Sequence, residues 1–347
     1  MNRSGHRCAP LPRDSEGLEL ITDAEIKVAV AVLRRGGLIG MPTETVYGLA
    51  ADASNATAVG KIFEAKGRPA DHPLIVHLGD IAELESWAES IPAYAMRLAK
   101  LFWPGPMTLI LRRRPEVLDE VTGGLDTVGV RIPNHPVAQR LLRAFGGGLA
   151  APSANRFGRV SPTTAADVVR ELVASVDIVL DAGPCQIGLE STIIDATGDV
   201  PCILRPGAVT AEAIKIGLGI EPTRPRSDSP RAPGRMASHY APETRLELAA
   251  PGTLASRAVD ALTDGLRVAV LIETLPAELS PDRLGRMAER LFPIPLPRDL
   301  EAAAKRLYGC LRSIDRKGCD LALVEVPSED GLGAAIADRL RKAAGKG

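Results

Sequence analysis

Apolar and polar positions follow two alternating periods along the chain, and each change of period predicts a short helix or strand. Residues 26–33 have helical spacing and stop at the glycine pair 36–37, after which the apolar run 38–41 predicts a strand. The same spacing predicts further helices at 55–65, 92–102, 136–145, 164–173 and 211–216. Further strands are predicted at 74–76, 107–111, 128–132, 149–151, 178–180, 192–195 and 203–204. Strands outnumber helices after residue 170, so we expect a mixed sheet rather than a purely parallel one.

The pattern is interrupted at residues 221–245, which hold five Pro, five Arg and few aliphatic residues and therefore predict a linker. A passive spacer has no need for Met236, His239 and Tyr240 together. Beyond the linker, strand-like runs at 267–272 and 321–326 and helix-like runs at 300–314 and 332–343 predict a small three-layer α/β unit. The expected organisation is a loose tail at 1–16, a first domain at 17–220, a linker and lid at 221–245, and a second domain at 246–347.

Composition narrows the class of protein. The length of 347 residues favours two domains, and the net charge of -1 gives no general field for holding nucleic acid or an anionic membrane. The five Cys are an odd number and do not resemble a disulfide framework. No apolar run reaches the roughly 18–20 residues of a membrane span. P-loop, zinc-ligand and nucleophile-elbow motifs are missing. We therefore expect a cytoplasmic protein.

Polar loops follow several strands, where α/β folds place their ligands. The loop 42–48, PTETVYG, offers two hydroxyls and a carboxylate, for polar ligand recognition or for a capped turn. In the next loop, Gly67 ends a helix and Pro69 keeps its neighbour extended. Since alternate residues of an extended chain point the same way, we expect Lys66 and Arg68 to converge on one polyanion such as a triphosphate. The alternative is a solvated basic turn.

A third loop, 151–164, brings hydroxyls to the start of a helix. Ser153 and Asn155 follow a short apolar strand, and Ser161 or Thr163 is expected to cap the helix that begins nearby. The N-terminus of that helix would favour an anion, although capping alone also accounts for the hydroxyls.

Arginines stand at the ends of two further strands. Ser191 begins one strand and Arg205 ends another, while Thr127 and Arg131 flank a third. Lone arginines at strand ends usually form surface salt bridges, but several in one domain, each beside a hydroxyl, are less usual. We expect four cations to line one cleft for a phosphate, a carboxylate or both: Lys66, Arg68, Arg131 and Arg205.

These loops resemble, in order and spacing, the motifs of the L-threonylcarbamoyladenylate synthase family in its long two-domain form. The family's K-x-R and S-x-N signatures correspond to residues 66–68 and 153–155. The other similar blocks are PTETVYGL at 42–49, WPGPMTLIL at 103–111, VGVRIPNHP at 128–136, APSAN at 151–155, ESTIID at 190–195 and ILRPG at 203–207, and residues 233–242 resemble the family's P-G-M…H-Y-A-P lid. The chain departs from the family at His72, where Asn is usual, and at Arg235, where Met more often follows Gly directly.

The resemblance implies an α/β fold with a twisted mixed-sheet YrdC-like catalytic domain and a smaller Rossmann-like three-layer C-terminal domain. It implies synthesis of L-threonylcarbamoyl-AMP from L-threonine, bicarbonate and ATP with release of pyrophosphate, for threonylcarbamoyladenosine modification of tRNA next to the anticodon. Mg²⁺ is expected on the phosphates, with no metal site in the protein itself. The expected partners are these small molecules and a downstream tRNA threonylcarbamoyl transferase complex, with weak or no direct tRNA binding and no membrane.

The resemblance also implies roles for particular residues. The catalytic set is Lys66, Arg68, Ser153 and Asn155. The ATP-binding set is Lys66, Arg68, His72, Thr127, Ser153, Asn155, Ser161, Arg205 and Tyr240. The L-threonine-binding set is Thr45, His77, Arg131, Ala151 and Ser191, with Arg131 expected to hold the carboxylate bidentately. A carbamoyl-adenylate-type transferase and a non-catalytic RNA-binding module are the alternatives.

Overall fold

The computed structural model describes residues 21–226, 229–234 and 240–345, so the expected tail at 1–16 lies outside the described residues. The chain divides into two compact units. Among the described residues, the first comprises 21–157, 161–186, 190–226 and 229–234, and the second comprises 158–160, 187–189 and 240–345. The second unit therefore takes in two short loops from the earlier part of the chain.

The first unit is built on one mixed sheet. Its helices are α1 (Asp23–Arg34), α2 (Ala56–Lys66), α3 (Ala93–Phe102), α4 (Asp119–Thr122), α5 (Pro136–Phe145), α6 (Ala165–Leu172) and α7 (Ala211–Leu218). Its strands are β1 (Ile39–Met41), β2 (Gly48–Asp52), β3 (Ile75–His77), β4 (Ala88–Glu89), β5 (Met107–Arg113), β6 (Thr127–Arg131), β7 (Leu149–Ala150), β8 (Ile178–Val179), β9 (Thr192–Asp195) and β10 (Cys202–Arg205). They pair in the order β10-β9-β5-β6-β3-β7-β2-β1-β8, with β4 beside β5. The expected mixed sheet is confirmed.

Helix ends in the first unit follow from local capping chemistry. The Thr22 side chain accepts from the Glu25 N–H while the Glu25 carboxylate accepts from the Thr22 N–H, which closes a capping box at the start of α1. Gly67 adopts the left-handed conformation, with φ of 61°, and ends α2. These ends satisfy backbone groups that a helix leaves unpaired.

One predicted cap is wrong. The N-cap of α6 is Thr164, whose hydroxyl accepts from the Asp167 N–H, and neither Ser161 nor Thr163 takes that place. Helix α6 starts at Ala165, one residue later than predicted. The buried Ser161 hydroxyl donates to the Glu190 carboxylate instead of capping the helix.

The two faces of the first sheet are covered differently. Helices α2, α3, α6 and α7 pack on one face in the main core, and α1 and α5 pack on β1, β2 and β7 of the other. The rest of that second face, over β3, β6, β5, β9 and β10, we call the open face. Within the described residues no helix joins its apolar cluster, whose members are Ile75, Ile110, Ile193, Cys202, Leu204 and Ala232. The open face is therefore free of described helices, and its buried apolar residues pack with Ala232 of the linker.

The first residues of the linker pack on the first unit. Thr223 continues the sheet beside β10, since the Ile203 N–H donates to its carbonyl and its own N–H donates to the Pro201 carbonyl. Further along, Arg231 forms an ion pair with Asp71 at 3.0 Å.

The second unit contains a separate four-stranded parallel sheet. Its strands are β11 (Arg245–Ala249), β12 (Val268–Leu271), β13 (Leu291–Ile294) and β14 (Leu321–Glu325), in the order β11-β14-β12-β13. Its α-helices are α8 (Leu254–Thr263), α9 (Pro281–Leu284), α10 (Leu300–Lys317) and α11 (Leu332–Ala344). It also contains two short 3₁₀ segments, Ala277–Leu279 and Gly285–Arg290, and the first unit contains one, Ile81–Ser86. The predicted α/β class is confirmed for both units.

Seven helices and strands were not predicted by periodicity: β2, β4, β11, β13, α4, α8 and α9. Strand β2, GLAAD, is buried between β1 and β7 and contains no β-branched residue, so its sequence carries little strand signal. Strand β13 contains Pro293, which weakens a strand prediction but is tolerated because β13 is an edge strand.

Gly207, just after β10, lies in close contact with the backbone at the start of β9. A Cβ there would lie 2.4 Å from the Thr192 nitrogen and 2.7 Å from the Glu190 oxygen, so the backbone would have to move. We expect Gly207→Ala to lower the free energy of unfolding by about 1–3 kcal/mol, measured by urea denaturation. Gly198→Ala is the matched control, since a Cβ at Gly198 meets nothing within 4 Å. Equal midpoints for the two variants would contradict the close approach.

Candidate active site

Strand pairing places several predicted site residues in one row across the open face. His77 of β3 pairs with Arg131 of β6, and the antiparallel register of β5 with β6 sets Thr108 beside Arg131. Thr108 pairs with Ile193 of β9, which in turn pairs with Arg205 of β10. Residues far apart in the chain are therefore brought to one end of neighbouring strands.

Arg205 is held by carbonyl and hydroxyl oxygens. Its Nε and Nη2 donate to the Ser191 carbonyl at 3.1 and 2.8 Å, Nη2 also donates to Ser191 Oγ at 3.1 Å, and Nη1 donates to the Pro233 carbonyl at 3.3 Å. Ser191 Oγ also lies 2.8 Å from Thr108 Oγ1. No carboxylate of the described residues forms an ion pair with Arg205, so its buried positive charge favours an anionic ligand.

Arg131 is held differently, because a buried carboxylate stands beside it. Its Nη1 donates to Thr45 Oγ1 at 2.9 Å and its Nε to the Gly105 carbonyl at 3.3 Å. Its Nη2 lies 2.7 Å from Glu44 Oε1, and the side chains of this pair are only 5% and 3% exposed. Nε and one N–H of Nη1 are engaged, so the second N–H of Nη1 and the N–H groups of Nη2 are the donors left for a substrate carboxylate. The expected bidentate contact remains a prediction.

The two threonines of the PTETVYG loop form an ordered chain of hydrogen bonds. Thr43 Oγ1 donates to the Val46 carbonyl at 2.6 Å and lies 2.8 Å from Thr45 Oγ1. A hydroxyl has one proton, so the bond between the two hydroxyls uses the proton of Thr45. Thr45 then accepts from Arg131, and its remaining lone pair is an acceptor only.

His77 is buried next to Arg131. Its Nδ1 lies 3.3 Å from the Ile75 carbonyl, so we assign the proton to Nδ1. Burial, and secondly the charge of Arg131, lower the pKa of His77 to about 3. The ring is therefore neutral at physiological pH.

The K-x-R and S-x-N signatures meet at Lys66. Its Nζ lies 2.5 Å from the Ser153 carbonyl and 2.5 Å from the Asn155 carbonyl. Burial, and secondly the neighbouring Arg68, lower the pKa of Lys66 well below its ordinary value. The expected extended geometry is wrong, because Lys66 is the last residue of α2 and Gly67 is left-handed.

Arg68 and His72 share one aromatic neighbour, Phe157. The Arg68 guanidinium lies 5.8 Å from the centre of that ring, and the His72 ring packs edge-on against it at 5.3 Å. Arg68 Nη2 also donates to the Pro73 carbonyl at 2.9 Å. Burial, and secondly Arg68, lower the pKa of His72, so this ring too is mainly neutral near pH 7.

The two clusters lie toward opposite ends of the same strands. Leu149 of β7 pairs with His77, and continuing that register sets Ser153 level with Pro73. His77 is four residues after Pro73 in an extended segment, and at about 3.3 Å per residue the two are about 13 Å apart. The four cations therefore border an elongated site and do not surround a single point.

Three other predicted residues are buried in the first unit: Thr127 at the start of β6, Ala151 after β7, and Ser161. The Ser161 hydroxyl donates to Glu190 Oε1 at 2.6 Å. Two partners were not predicted from the sequence: Glu44 for Arg131 and Glu190 for Ser161. The loop carboxylate at Glu44 was visible, but no local pattern connects it with a residue 87 positions away.

Tyr240 belongs to the second unit. Its ring stacks on Tyr308 at 5.7 Å, and the Arg339 guanidinium lies 5.2 Å from its centre. The neighbouring lid residues 235–239 lie outside the described residues. The expected contact between Tyr240 and ATP remains a prediction.

Two features are missing from the described residues: a membrane-spanning helix and a metal-binding cluster. None of the helices in those ranges combines the length and the apolar character needed to cross a bilayer. In the same ranges, no three His, Cys, Asp or Glu side chains are grouped so that they could hold a metal ion.

Fold and site together define a two-unit α/β protein with a cationic, hydroxyl-rich site on the open face of its first sheet. The Sua5/YciO/YrdC family model, described as telomere recombination, matches residues 31–207. A second model, described as the threonylcarbamoyl-AMP synthase C-terminal domain, matches residues 209–345.

Curated relatives agree over almost the whole chain. The threonylcarbamoyl-AMP synthase of Bacillus subtilis is 42% identical over 331 residues, covering 93% of this chain and 94% of that protein. The one of Pyrococcus abyssi is 40% identical over 338 residues, covering 94% and 96%. The crystal structure of P. abyssi Sua5 complexed with L-threonine is 39% identical, with a TM-score of 0.86 and coverage of 94% and 96%. The chain belongs to the threonylcarbamoyl-AMP synthase family, which confirms the resemblance inferred from its motifs.

The buried His77 gives a testable pH dependence. The unfolded chain takes up a proton on this ring below about pH 6.5, whereas the folded protein does so only near pH 3. The unfolded state therefore binds more protons between these values, so stability falls as the pH falls through that window. We expect His77→Gln to lose less stability than the wild type between pH 7.5 and pH 5, measured by urea denaturation. Parallel losses in both proteins would contradict the buried neutral ring.

Proposed function

We propose that this protein makes L-threonylcarbamoyl-AMP from L-threonine, bicarbonate and ATP, and releases pyrophosphate. The observation that carries the proposal is the contact of Lys66 with both carbonyls of the S-x-N segment, at 2.5 Å each. These two bonds use two of the three N–H groups of an ammonium, which leaves the third for a phosphate oxygen. A bound polyanion would also restore the charge that burial disfavours.

We assign the triphosphate to the Lys66 end of the site. Arg68 adds a planar guanidinium, and Ser153 and Asn155 add polar groups beside Lys66. The other proposed ATP contacts come from the resemblance and remain predictions: His72, Thr127, Ser161, Arg205 and Tyr240.

We assign the amino acid to the other end of the same strands. Thr45, His77, Arg131 and Ser191 are buried there, and Ala151 follows β7 nearby in the sheet. Thr45 offers only a lone pair to a ligand, so it would receive a donor such as the substrate amine. The P. abyssi relative crystallised with L-threonine supports an amino-acid subsite in this family.

The chemistry requires positioning and charge neutralisation. The deprotonated threonine amine attacks the carbon of bicarbonate, which forms the N–C bond of a carbamate while a C–O bond of bicarbonate breaks and its oxygen leaves as water. A carbamate oxygen then attacks the α-phosphorus of ATP, and the bond to pyrophosphate breaks. No covalent enzyme intermediate is needed, so the protein accelerates the reaction by holding the reactants together and stabilising charge on the phosphates.

Mg²⁺ would enter with the nucleotide phosphates. Lys66, Arg68 and Arg205 are cations, and the buried carboxylate of Glu190 is engaged by Ser161. These residues suit the phosphate oxygens better than the metal itself, and Mg²⁺ commonly keeps phosphates and waters as its ligands.

We further propose that the product passes to a tRNA threonylcarbamoyl transferase complex in the cytoplasm. With a net charge of -1, we expect this chain to bind tRNA weakly or not at all.

The reaction predicts a specific dependence on substrates. Pyrophosphate release from ATP should require both L-threonine and bicarbonate, measured by omitting each in turn. A carbamoyl-adenylate-type transferase would not depend on threonine. An RNA-binding module would release no pyrophosphate and would bind RNA with strong salt dependence.

The phosphate assignment is tested by Lys66→Ala and Arg68→Ala. We expect each to reduce kcat/KM for ATP by about 5- to 150-fold, because each removes a charge-assisted contact of about 1–3 kcal/mol. Lys61→Ala and Arg97→Ala are matched controls, since each removes a cation that donates to a backbone carbonyl elsewhere, at Gly36 and Gly217. Unchanged turnover in both site variants would place the phosphates elsewhere.

A further inference from the structure

Glu44 and Arg131 have unused hydrogen-bonding capacity although both are buried. The Glu44 residue is 2% exposed and Arg131 is 4% exposed. Their closest atoms are 2.7 Å apart, but the N–H bonds of Nη2 are not aligned with the carboxylate. Within the described part of the chain, neither oxygen of Glu44 and no N–H of Nη2 has an aligned hydrogen-bond partner.

Such an arrangement is costly unless a ligand completes it. A buried carboxylate without hydrogen-bond donors loses the hydration it had in water, and one neighbouring charge compensates only part of that loss. The same holds for the N–H groups of Nη2. A buried acceptor and a buried donor of opposite charge thus stand side by side.

The neighbouring loop cannot supply the missing donor to Glu44. The Thr43 hydroxyl donates to the Val46 carbonyl, and the Thr45 hydroxyl proton is committed to Thr43. The Glu44 charge acts on a neighbouring thiol: burial, and secondly Glu44, raise the pKa of Cys185.

His135 is the other titratable group that senses Glu44. Burial lowers the pKa of His135, and the carboxylate offsets this only in part. Its ring is therefore mostly neutral near pH 7, and no described residue forms a hydrogen bond with its Nδ1.

We propose that Glu44 and Arg131 together recognise the zwitterionic head group of the amino-acid substrate. Glu44 receives the α-ammonium, and Arg131 Nη2 receives the α-carboxylate. Glu44 is then a specificity-determining residue that selects amino acids over carboxylic acids without an amino group. The inference rests on the proposed function, because it takes L-threonine as the occupant of this subsite.

The pairing also explains why the Arg131 charge is balanced where that of Arg205 is not. A zwitterion has no net charge, so a site for it needs one group of each sign. An unpaired arginine would favour any carboxylate of suitable shape.

The experiment compares L-threonine with (R)-3-hydroxybutanoate, which has the same carboxylate, hydroxyl and methyl groups but no amino group. We expect the wild type to bind L-threonine about 10- to 100-fold more tightly by calorimetry, the value of a hydrogen bond to a charged group. In the Glu44→Gln variant we expect the ratio of the two dissociation constants, that of (R)-3-hydroxybutanoate over that of L-threonine, to fall close to one. Glu83→Gln is the matched control, because Glu83 also has a buried oxygen without a partner but lines a different cavity.

The outcomes separate the possible causes. If Glu44 only held Arg131 in position, Glu44→Gln would weaken the binding of both ligands equally. The ratio of their dissociation constants would then stay as in the wild type, which would overturn the inference. If the wild type bound no L-threonine and released no pyrophosphate with it, the proposed function itself would fail.

A second variant covers the case in which Glu44→Gln does not fold. Glu44→Asp keeps the charge but withdraws the oxygens by about one C–C bond length of roughly 1.5 Å. We expect Glu44→Asp to weaken the binding of L-threonine several-fold and to leave the binding of (R)-3-hydroxybutanoate unchanged. Unchanged binding of both ligands by Glu44→Asp would refute the contact with the ammonium.

Discussion

The register of five neighbouring strands is the constraint on which the site depends. It places charged and hydroxyl-bearing side chains on a part of the first sheet that no described helix covers. Once buried, each such group must find a partner or remain costly. Arg205 meets the Ser191 carbonyl, Lys66 meets the carbonyls of the S-x-N segment, and Arg131 meets Glu44.

The kind of partner distinguishes the buried cations of the site. Lys66 and Arg205 bond to neutral oxygens, which orient the cations and leave their charge available to a polyanion. Arg131 stands beside Glu44, so its charge is balanced locally by a carboxylate. A nucleotide triphosphate and a zwitterionic amino acid require these two different environments, and synthesis of threonylcarbamoyl-AMP brings both to one protein. The neutral His77 beside Arg131 adds no further charge.

Much of the fold was predictable because helix formation is local. The capping box at Thr22 and the left-handed Gly67 can be inferred from neighbouring residues alone. Strand β2 could not be predicted, because its glycine and alanines form a strand only through pairing with β1 and β7. In the second unit, β13 contains a proline, which weakens the local strand signal and is tolerated at the edge of the sheet.

The sequence by itself determined the α/β class, the mixed sheet and, through motifs in the order of a known family, the reaction to be expected. The tertiary structure decided how the side chains meet. It brought Lys66 to the carbonyls of Ser153 and Asn155, and it joined Arg131 to a carboxylate 87 residues earlier. Periodicity and capping act within a few residues, whereas the partner of a buried charge depends on which strands lie side by side. That long-range pairing leaves no trace in the local sequence.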